Sequence, residues 1–464
     1  MAPAPWEQVP AEDTLFVLVT GANSGIGFGI CQRLIDEYLT TRSLTSHIVL
    51  IPTTRSVKKS QETIDALRKH AEKVATTSKL LQSRVGSSYD PKQTTRRVHI
   101  LSVQVDLCNL PAIKQAASQL ISGTLSSSSG SDDFVSLDDV KIPRLDSVIF
   151  NAGIGGWYGL DWSKVFHNIV TAGLVSATTW PTFKGAEGGH VVRPVPASDE
   201  SMGQVFCANV FGHYLFAHEL IPLLSRPATS TSLSPGRIIW ETSIEPDWHC
   251  FSLDDFEAIK TNAAYESTKR LTDVLALTWS LPASKPFVDN YLSTTSSADE
   301  KVAQPTPPKI YLVHPGVVQT TLFPLNAFMY FWYTVVLYIT RFLGSPWHPI
   351  TGYNGACAPA WLALQEQEWL DSVDAERIKW GSSTNIWGEC RVKKTEVDGW
   401  GWEGKVEEVR ELRAQGKMSG RKPGSQDLTE DRLTEFKTLG AACWKKMEEL
   451  RASWEAKIEK PEKN

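Results

Sequence analysis

Cysteine is scarce and unpaired in this 464-residue chain: Cys31, Cys108, Cys207, Cys250, Cys357, Cys390 and Cys443 are scattered, and no two have metal-ligand spacing. A disulfide scaffold and a zinc site are therefore not expected, and an odd number of thiols points to a reducing, cytosolic-side setting. A dominant charge is missing too. The formal net charge is -5, and 42% of residues are hydrophobic, the balance of an ordinary globular protein without the basic groove that a nucleic acid requires. Residues 1–13 are polar and carry prolines, so no secretory apolar core is expected there.

What is present begins with Leu15-Phe16-Val17-Leu18-Val19, a short β-branched run that reads as a buried parallel strand. Thr20-Gly21-Ala22-Asn23-Ser24-Gly25-Ile26-Gly27 follows at once, and Ile26, Ile30, Leu34 and Ile35 then recur at helical spacing. Strand, glycine turn and helix in that order form a pyrophosphate cradle, because glycines admit close backbone approach and the helix start offers free N–H donors. Gly21, Asn23, Ser24, Gly25, Ile26 and Gly27 are the expected contacts. A second strand, His47-Ile48-Val49-Leu50-Ile51, runs into Pro52-Thr53-Thr54-Arg55-Ser56 and lacks the acidic residue that would bond an NAD ribose. Thr54 and Arg55, aided by Lys58 or Lys59, instead suit a 2′-phosphate, so NADPH is the expected cofactor. A third strand over residues 98–105 ends at Asp106, placed for an adenine. A fourth, over 145–150, ends at Asn151-Ala152-Gly153, placed for a ribose. No metal site is expected.

Far downstream stands Tyr265-Glu266-Ser267-Thr268-Lys269. On a helix, Lys269 lies at i+4 from Tyr265, and an ammonium near the phenol is expected to lower its pKa by roughly 1 to 3 units toward phenolate.

In this order the motifs resemble those of the short-chain dehydrogenase/reductases: the glycine loop, Asn151 to Gly153, Asn209, Ser243, and Tyr265 with Lys269, followed by Pro315-Gly316. The resemblance implies a Rossmann-type α/β fold, a doubly wound parallel sheet with helices on both faces, extended by insertions and a helical C-terminal region. It implies Tyr265 as proton donor, Lys269 as pKa modulator and ribose ligand, and Ser243 as holder of the substrate oxygen, with Thr242 as the alternative hydroxyl. Asn209 would order a water leading to Lys269, and Val317 and Thr320 would meet the nicotinamide amide. Within the family the chain is most similar to the fungal branch that reduces 3-keto steroids in sterol C-4 demethylation; Ile239-Trp240 ahead of Ser243 and His314-Pro315-Gly316 belong to that likeness. That branch implies a sterol ketone substrate, ergosterol biosynthesis, endoplasmic reticulum membrane and lipid droplets. Implied partners are a membrane-bound C-4 oxidase, a decarboxylase, a scaffold and lanosterol synthase. Other lipid carbonyls of retinal-like type, or a non-catalytic scaffold, are the alternative functions.

Residues 1–365 are expected to form the reductase domain and 366–464 a charged helical extension, with disordered insertions near 121–139 and 283–308. Residues 244–261 are expected to bulge out between strand end and catalytic helix. Residues 157–195, with Trp157, Tyr158, Trp162, Phe166 and Trp180, are expected to line an apolar pocket. The one long hydrophobic run, 322–343, falls where the family places its substrate lid and reads as a segment that dips into a membrane, spans it, or packs on protein.

Overall fold

The computed structural model describes residues 3–127, 133–228, 232–293, 305–320 and 325–459. The elements that build the site are β1 (Thr14–Val19), α1 (Gly25–Thr41), β2 (His47–Thr54), β3 (Val98–Ile100), β4 (Val103–Gln104) and β5 (Ser147–Phe150). They continue with α2 (Trp162–Thr179), β6 (Arg237–Glu241), α3 (Ala264–Thr278), β7 (Lys309–His314) and α4 (Ala327–Phe342). Two strands, β8 (Lys379–Thr384) and β9 (Cys390–Thr395), and a long helix, α5 (Glu430–Ile458), complete the set.

The nine-stranded sheet runs β9-β8-β7-β6-β5-β1-β2-β3, with β4 also on β2. Every pairing is parallel except β8 with β9. Both faces are covered, which is why the strands read as unbroken apolar runs. Phe16 and Leu18 enter one core and Val17 and Val19 the other. The strand order reverses at β1, between β2 and β5, so the crevice for a ligand opens at the carboxyl ends there. This is the expected doubly wound α/β fold.

Several boundaries differ from expectation. β2 continues through Pro52 to Thr54, because its far end pairs with β4 at Thr53↔Val103 and Thr54↔Gln104. The 98–105 strand is split at Leu101-Ser102, where the Ser102 hydroxyl turns to Ser60 Oγ at 2.7 Å. Within 121–139, Leu125–Ser127 and Leu137–Val140 pair as an antiparallel hairpin that buries Leu125 and Leu137; residues 128–132 lie outside the described residues. Within 283–308, Lys285–Leu292 is helical, since Val288, Tyr291 and Leu292 bury one face; residues 294–304 lie outside the described residues. Residues 244–261 do not bulge out: Phe256 is buried, and the Asp255 carboxylate ties the loop by accepting from the amides of Ile259, Lys260 and Thr261.

The boundary at residue 365 also moves. β8 and β9 extend the same sheet beyond β7, and the buried Lys379 of β8 donates to Asp273 of α3 at 2.7 Å. α5 then buries Leu433, Phe436, Cys443, Met447 and Trp454 in the core, with Leu439 and Leu450 half-buried against it.

Candidate active site

The glycine loop leaves β1 through Gly21 at φ +64° and enters α1 through Gly25 at φ +57°, two left-handed positions where a side chain is strained. A Cβ on Gly27 would lie 2.5 Å from Asn151 Nδ2, so the loop and the end of β5 pack backbone to side chain. Thr20 locks them together. Its hydroxyl accepts from the amides of Asn151 (3.0 Å) and Ala152 (3.1 Å), and Asn151 Nδ2 donates to the Thr20 carbonyl (2.9 Å).

His213, which carries no obvious signal in the sequence, completes this lock. Its Nδ1 faces the Asn209 carbonyl at 3.2 Å, which can only accept, so Nδ1 carries the proton and Nε2 accepts from the Thr20 hydroxyl at 2.9 Å. Burial lowers the imidazole pKa to about 3 and keeps it neutral.

A cavity of about 1140 Å³ joins this cradle to an apolar chamber. Gly21, Asn23, Ser24, Gly25, Ile26, Thr54, Arg55 and Asp106 line its cofactor end, with Lys59 beside Arg55. Asn151, Ala152 and Gly153 form its floor, and Val317 and Thr320 reach it from the loop after β7. Gly27 alone of the expected cofactor residues is buried behind the loop rather than on the wall. The wide glycine turn, the amides of the α1 start and the exposed Arg55 fit a dinucleotide bearing a 2′-phosphate. Lys58 points to solvent.

Ser243, Tyr265 and Lys269 meet at the middle of the cavity. Of the two hydroxyls, Thr242 Oγ1 donates to the Lys269 carbonyl at 3.1 Å, whereas Ser243 lines the cavity with Tyr265, its Oγ accepting from the Glu245 amide at 3.3 Å. The expectation that Lys269 draws Tyr265 toward phenolate is overturned. Burial first, then the Glu245 carboxylate and, more weakly, those of Glu266 and Glu241, push the phenol above its usual range, with the nearby Ser243 hydroxyl opposing them. The reason is where Lys269 points. Its Nζ lies 5.6 Å from the Tyr265 ring centre and donates to the Glu241 carbonyl at 2.8 Å. Burial lowers the Lys269 pKa to about 8 against the opposing charges of Glu241 and Asp273, with Lys379 adding to the fall.

Asn209 lies in a π-helical turn, Cys207–Phe211. Its Oδ1 accepts from the Ile154 amide (2.8 Å), and its Nδ2 donates to the Ile154 carbonyl (3.0 Å) and to Thr268 Oγ1 (3.3 Å). These bonds fix the strand end opposite the catalytic helix; none of them reaches Lys269.

A second lysine was missed. Lys184, from the 157–195 insertion, is buried between the carboxylates of Glu245 and Glu266, with its ammonium 4.4 Å from the Trp157 ring centre and 5.1 Å from that of Tyr265. Burial works against its charge, but Glu245 and Glu266 outweigh it and hold the pKa above the usual range.

Beyond this triad the chamber is apolar, walled by Trp157, Trp162, Ile169, Phe328, Trp332 and Tyr333. Of the other insertion aromatics, Tyr158 and Phe166 are exposed, and Trp180 lines a separate cavity beside Trp248 and Trp347. α4 packs on α2 through Thr178 and Thr340, and Gln319 is bonded to Thr334. Residues 322–324 of the expected lid lie outside the described residues. Among the described residues, no helix is long and apolar enough to cross a membrane.

A 3-keto-steroid reductase of Gibberella zeae is 49% identical to this chain over 464 residues, covering 98% of this chain and 97% of that protein. One of Aspergillus fumigatus is 37% identical over 463 residues, covering 97% and 96%. Among solved structures, salutaridine reductase from Papaver somniferum is 18% identical with a TM-score of 0.35, over 66% of this chain and 88% of that one. An alcohol dehydrogenase from Thermococcus sibiricus complexed with 5-hydroxy-NADP is 13% identical with a TM-score of 0.38, over 80% and 97%. No family model matches the chain. With identity of this extent along nearly its whole length, the chain belongs to the 3-keto-steroid reductases.

Proposed function

We propose that this oxidoreductase reduces the C3 ketone of a sterol intermediate to the 3-hydroxyl with NADPH, in the C-4 demethylation steps of ergosterol biosynthesis. The observation that carries the reading is the single cavity in which Ser243 and Tyr265 stand between a dinucleotide cradle and an aromatic chamber. When bound, NADPH supplies the hydride. Arg55 holds its 2′-phosphate, the Gly21 to Gly27 loop its pyrophosphate, Asp106 its adenine side, Asn151 to Gly153 and Lys269 its riboses, and Val317 and Thr320 its amide end. Ser243 holds the ketone oxygen against Tyr265, whose raised pKa keeps a proton ready for the oxygen as it gains negative charge. Asn209 supports this arrangement by fixing Ile154 and Thr268.

The chamber opens beside an apolar rim. Phe328 is 73% exposed and Trp332 52%, and Phe331, Phe342 and Leu343 of the same segment are exposed, as are Trp162, Phe166 and Val170 of α2. An apolar patch of this kind, rich in aromatic residues, suits the headgroup level of a bilayer. We read α2 and α4 together as a monotopic foot through which a sterol passes from the endoplasmic reticulum membrane or a lipid droplet into the cavity. Assembly with a sterol C-4 oxidase, a decarboxylase, a scaffold and lanosterol synthase belongs to the same reading, supported by family likeness alone. The test is turnover of a 4-demethylated 3-keto sterol in vesicles with NADPH. Formation of the 3-hydroxy sterol is expected; reduction of water-soluble ketones with none of the sterol would reject the substrate class.

A further inference from the structure

The strands Trp157–Leu160 and Lys184–Ala186 pair antiparallel, and α2 is the excursion of the chain between them. The Asp161 amide donates to the Phe183 carbonyl at 2.9 Å and closes the root of that excursion. α2 has little packing of its own, since only Ala177 and Thr179 among its residues are buried. Trp157, Leu160 and Phe183 at the root, with Trp162 and Ile169 on the helix, line the cavity that Tyr265 shares. The position of this root therefore sets the shape of the apolar chamber.

Lys184 is where the root meets the catalytic residues. Its side chain is 4% exposed, and its ammonium bonds two carboxylates, that of Glu245 on the loop after Ser243 and that of Glu266 beside Tyr265 on α3. The same ammonium faces the rings of Trp157 and Tyr265, and those two rings meet edge to face with their centres 4.7 Å apart. The Glu245 amide in turn donates to Ser243 Oγ. One side chain thus ties three segments together: the chamber root, the Ser243 loop and the catalytic helix. An apolar residue would fill this space without the desolvation that a buried ion triad costs, but it would have no directional partners. Two carboxylates on separate segments fix the lysine from two sides, and two aromatic faces accept its charge.

We propose that Lys184 is a positioning residue that selects for bulky ketones: by bonding Glu245 and Glu266 at once it fixes the root of α2 against the Ser243 loop and the catalytic helix. The aromatic wall then stands at a set distance from Tyr265, and a rigid ring system resting on that wall presents its carbonyl to Tyr265 and Ser243. Lys184 touches neither the ketone nor the cofactor; it acts through Trp157 and the two carboxylates. The inference rests on the reading of the chamber as the seat of the sterol rings.

Lys184→Met alone would strand both carboxylates, so the test variant is Lys184→Met with Glu245→Gln. It removes the clamp and keeps the net charge of the three groups, one lysine against two carboxylates before and one carboxylate after. Without substrate, hydrogen exchange in peptides covering 157–186 should quicken by about tenfold, while peptides of β1 and β6 keep their rates. In turnover with NADPH, the ratio of kcat/KM for a 4-demethylated 3-keto sterol to that for cyclohexanone should fall by about 30-fold, because a ketone too small to rest on the wall gains nothing from its placement. Lys184→Arg, which still pairs with both carboxylates, should return the ratio to within about threefold of wild type. If the double variant does not fold, Glu266→Gln, which cuts one arm of the clamp, replaces it in both measurements. An unchanged ratio, or exchange that quickens uniformly across the domain or not at all, overturns the proposal. If wild-type protein reduces cyclohexanone and not the sterol, the functional reading falls, and exchange at 157–186 still decides whether Lys184 holds the root of α2.

Discussion

On the reading proposed above, Tyr265 delivers its proton as a neutral phenol. Three carboxylates and burial raise its pKa, so removal of its hydroxyl should abolish proton delivery without disturbing the cofactor cradle. Tyr265→Phe is expected to lower kcat by about 10² to 10⁴-fold while NADPH still binds. Steady-state turnover and a fluorescence titration with NADPH check the two halves. Turnover should also decline as pH rises through about 8, where Lys269 loses its charge. Arg55 is exposed on the cavity wall with no acidic residue to claim it at the strand end, so Arg55→Ala should weaken NADPH by about 1.5 to 3 kcal/mol and leave NADH nearly unchanged, as read from the ratio of kcat/KM values. At this scale the glycine loop, Ser243, Tyr265 and Lys269 were legible as an ordered set that resembles a known family, since a Tyr-x-x-x-Lys spacing alone carries little signal. Glu241, Lys184 and His213 were not, since their neighbours are 28, 61 and 193 residues away in the chain and a lone acid, lysine or histidine has no pattern.

Among the elements, α4 shows most clearly what periodicity reveals and what it conceals. The apolar run predicted a segment needing cover, and in the fold only Leu337 and Thr340 are buried while its aromatic face stays open. The sequence did not reveal that α2 would stand beside it. The two helices meet where Thr178 Oγ1 donates to Thr340 Oγ1, 162 residues apart in the chain. Replacing Phe328, Phe331 and Trp332 together with Ser should release the protein from vesicles and raise the KM for a sterol ketone, while a small soluble ketone is affected far less. Co-flotation and paired kinetics measure this; unchanged flotation and sterol kinetics would leave α4 as a lid covered by protein. The hairpin within 121–139 and the helix at Lys285–Leu292 were missed because Leu125, Leu137, Val288 and Tyr291 are too few to stand out among serines and prolines, yet each has a core to enter.

For the molecule as a whole, the sequence placed the edge of the reductase domain at residue 365, and packing places it further on. Motif spacing ends near Thr320, so nothing in the pattern shows that β8 and β9 belong to the sheet. The tie is the Lys379–Asp273 pair, at 2% and 0% exposure, which joins β8 to the same helix that carries Tyr265 and Lys269. A buried pair of this kind is expensive to break from one side. Asp273→Ala leaves an ammonium without counter-charge and should destabilise the fold by about 3 to 5 kcal/mol, seen as a lower urea midpoint. Lys379→Met should cost a similar amount, because Asp273 Oδ1 already lacks a partner among the described residues and the carboxylate would then be wholly unpaired. Asp273→Leu combined with Lys379→Met removes both charges and should recover most of the loss, a coupling that a double-mutant cycle isolates. If the single substitutions leave the urea midpoint unchanged, the C-terminal strands are appended to the catalytic domain and do not help to hold its central helix.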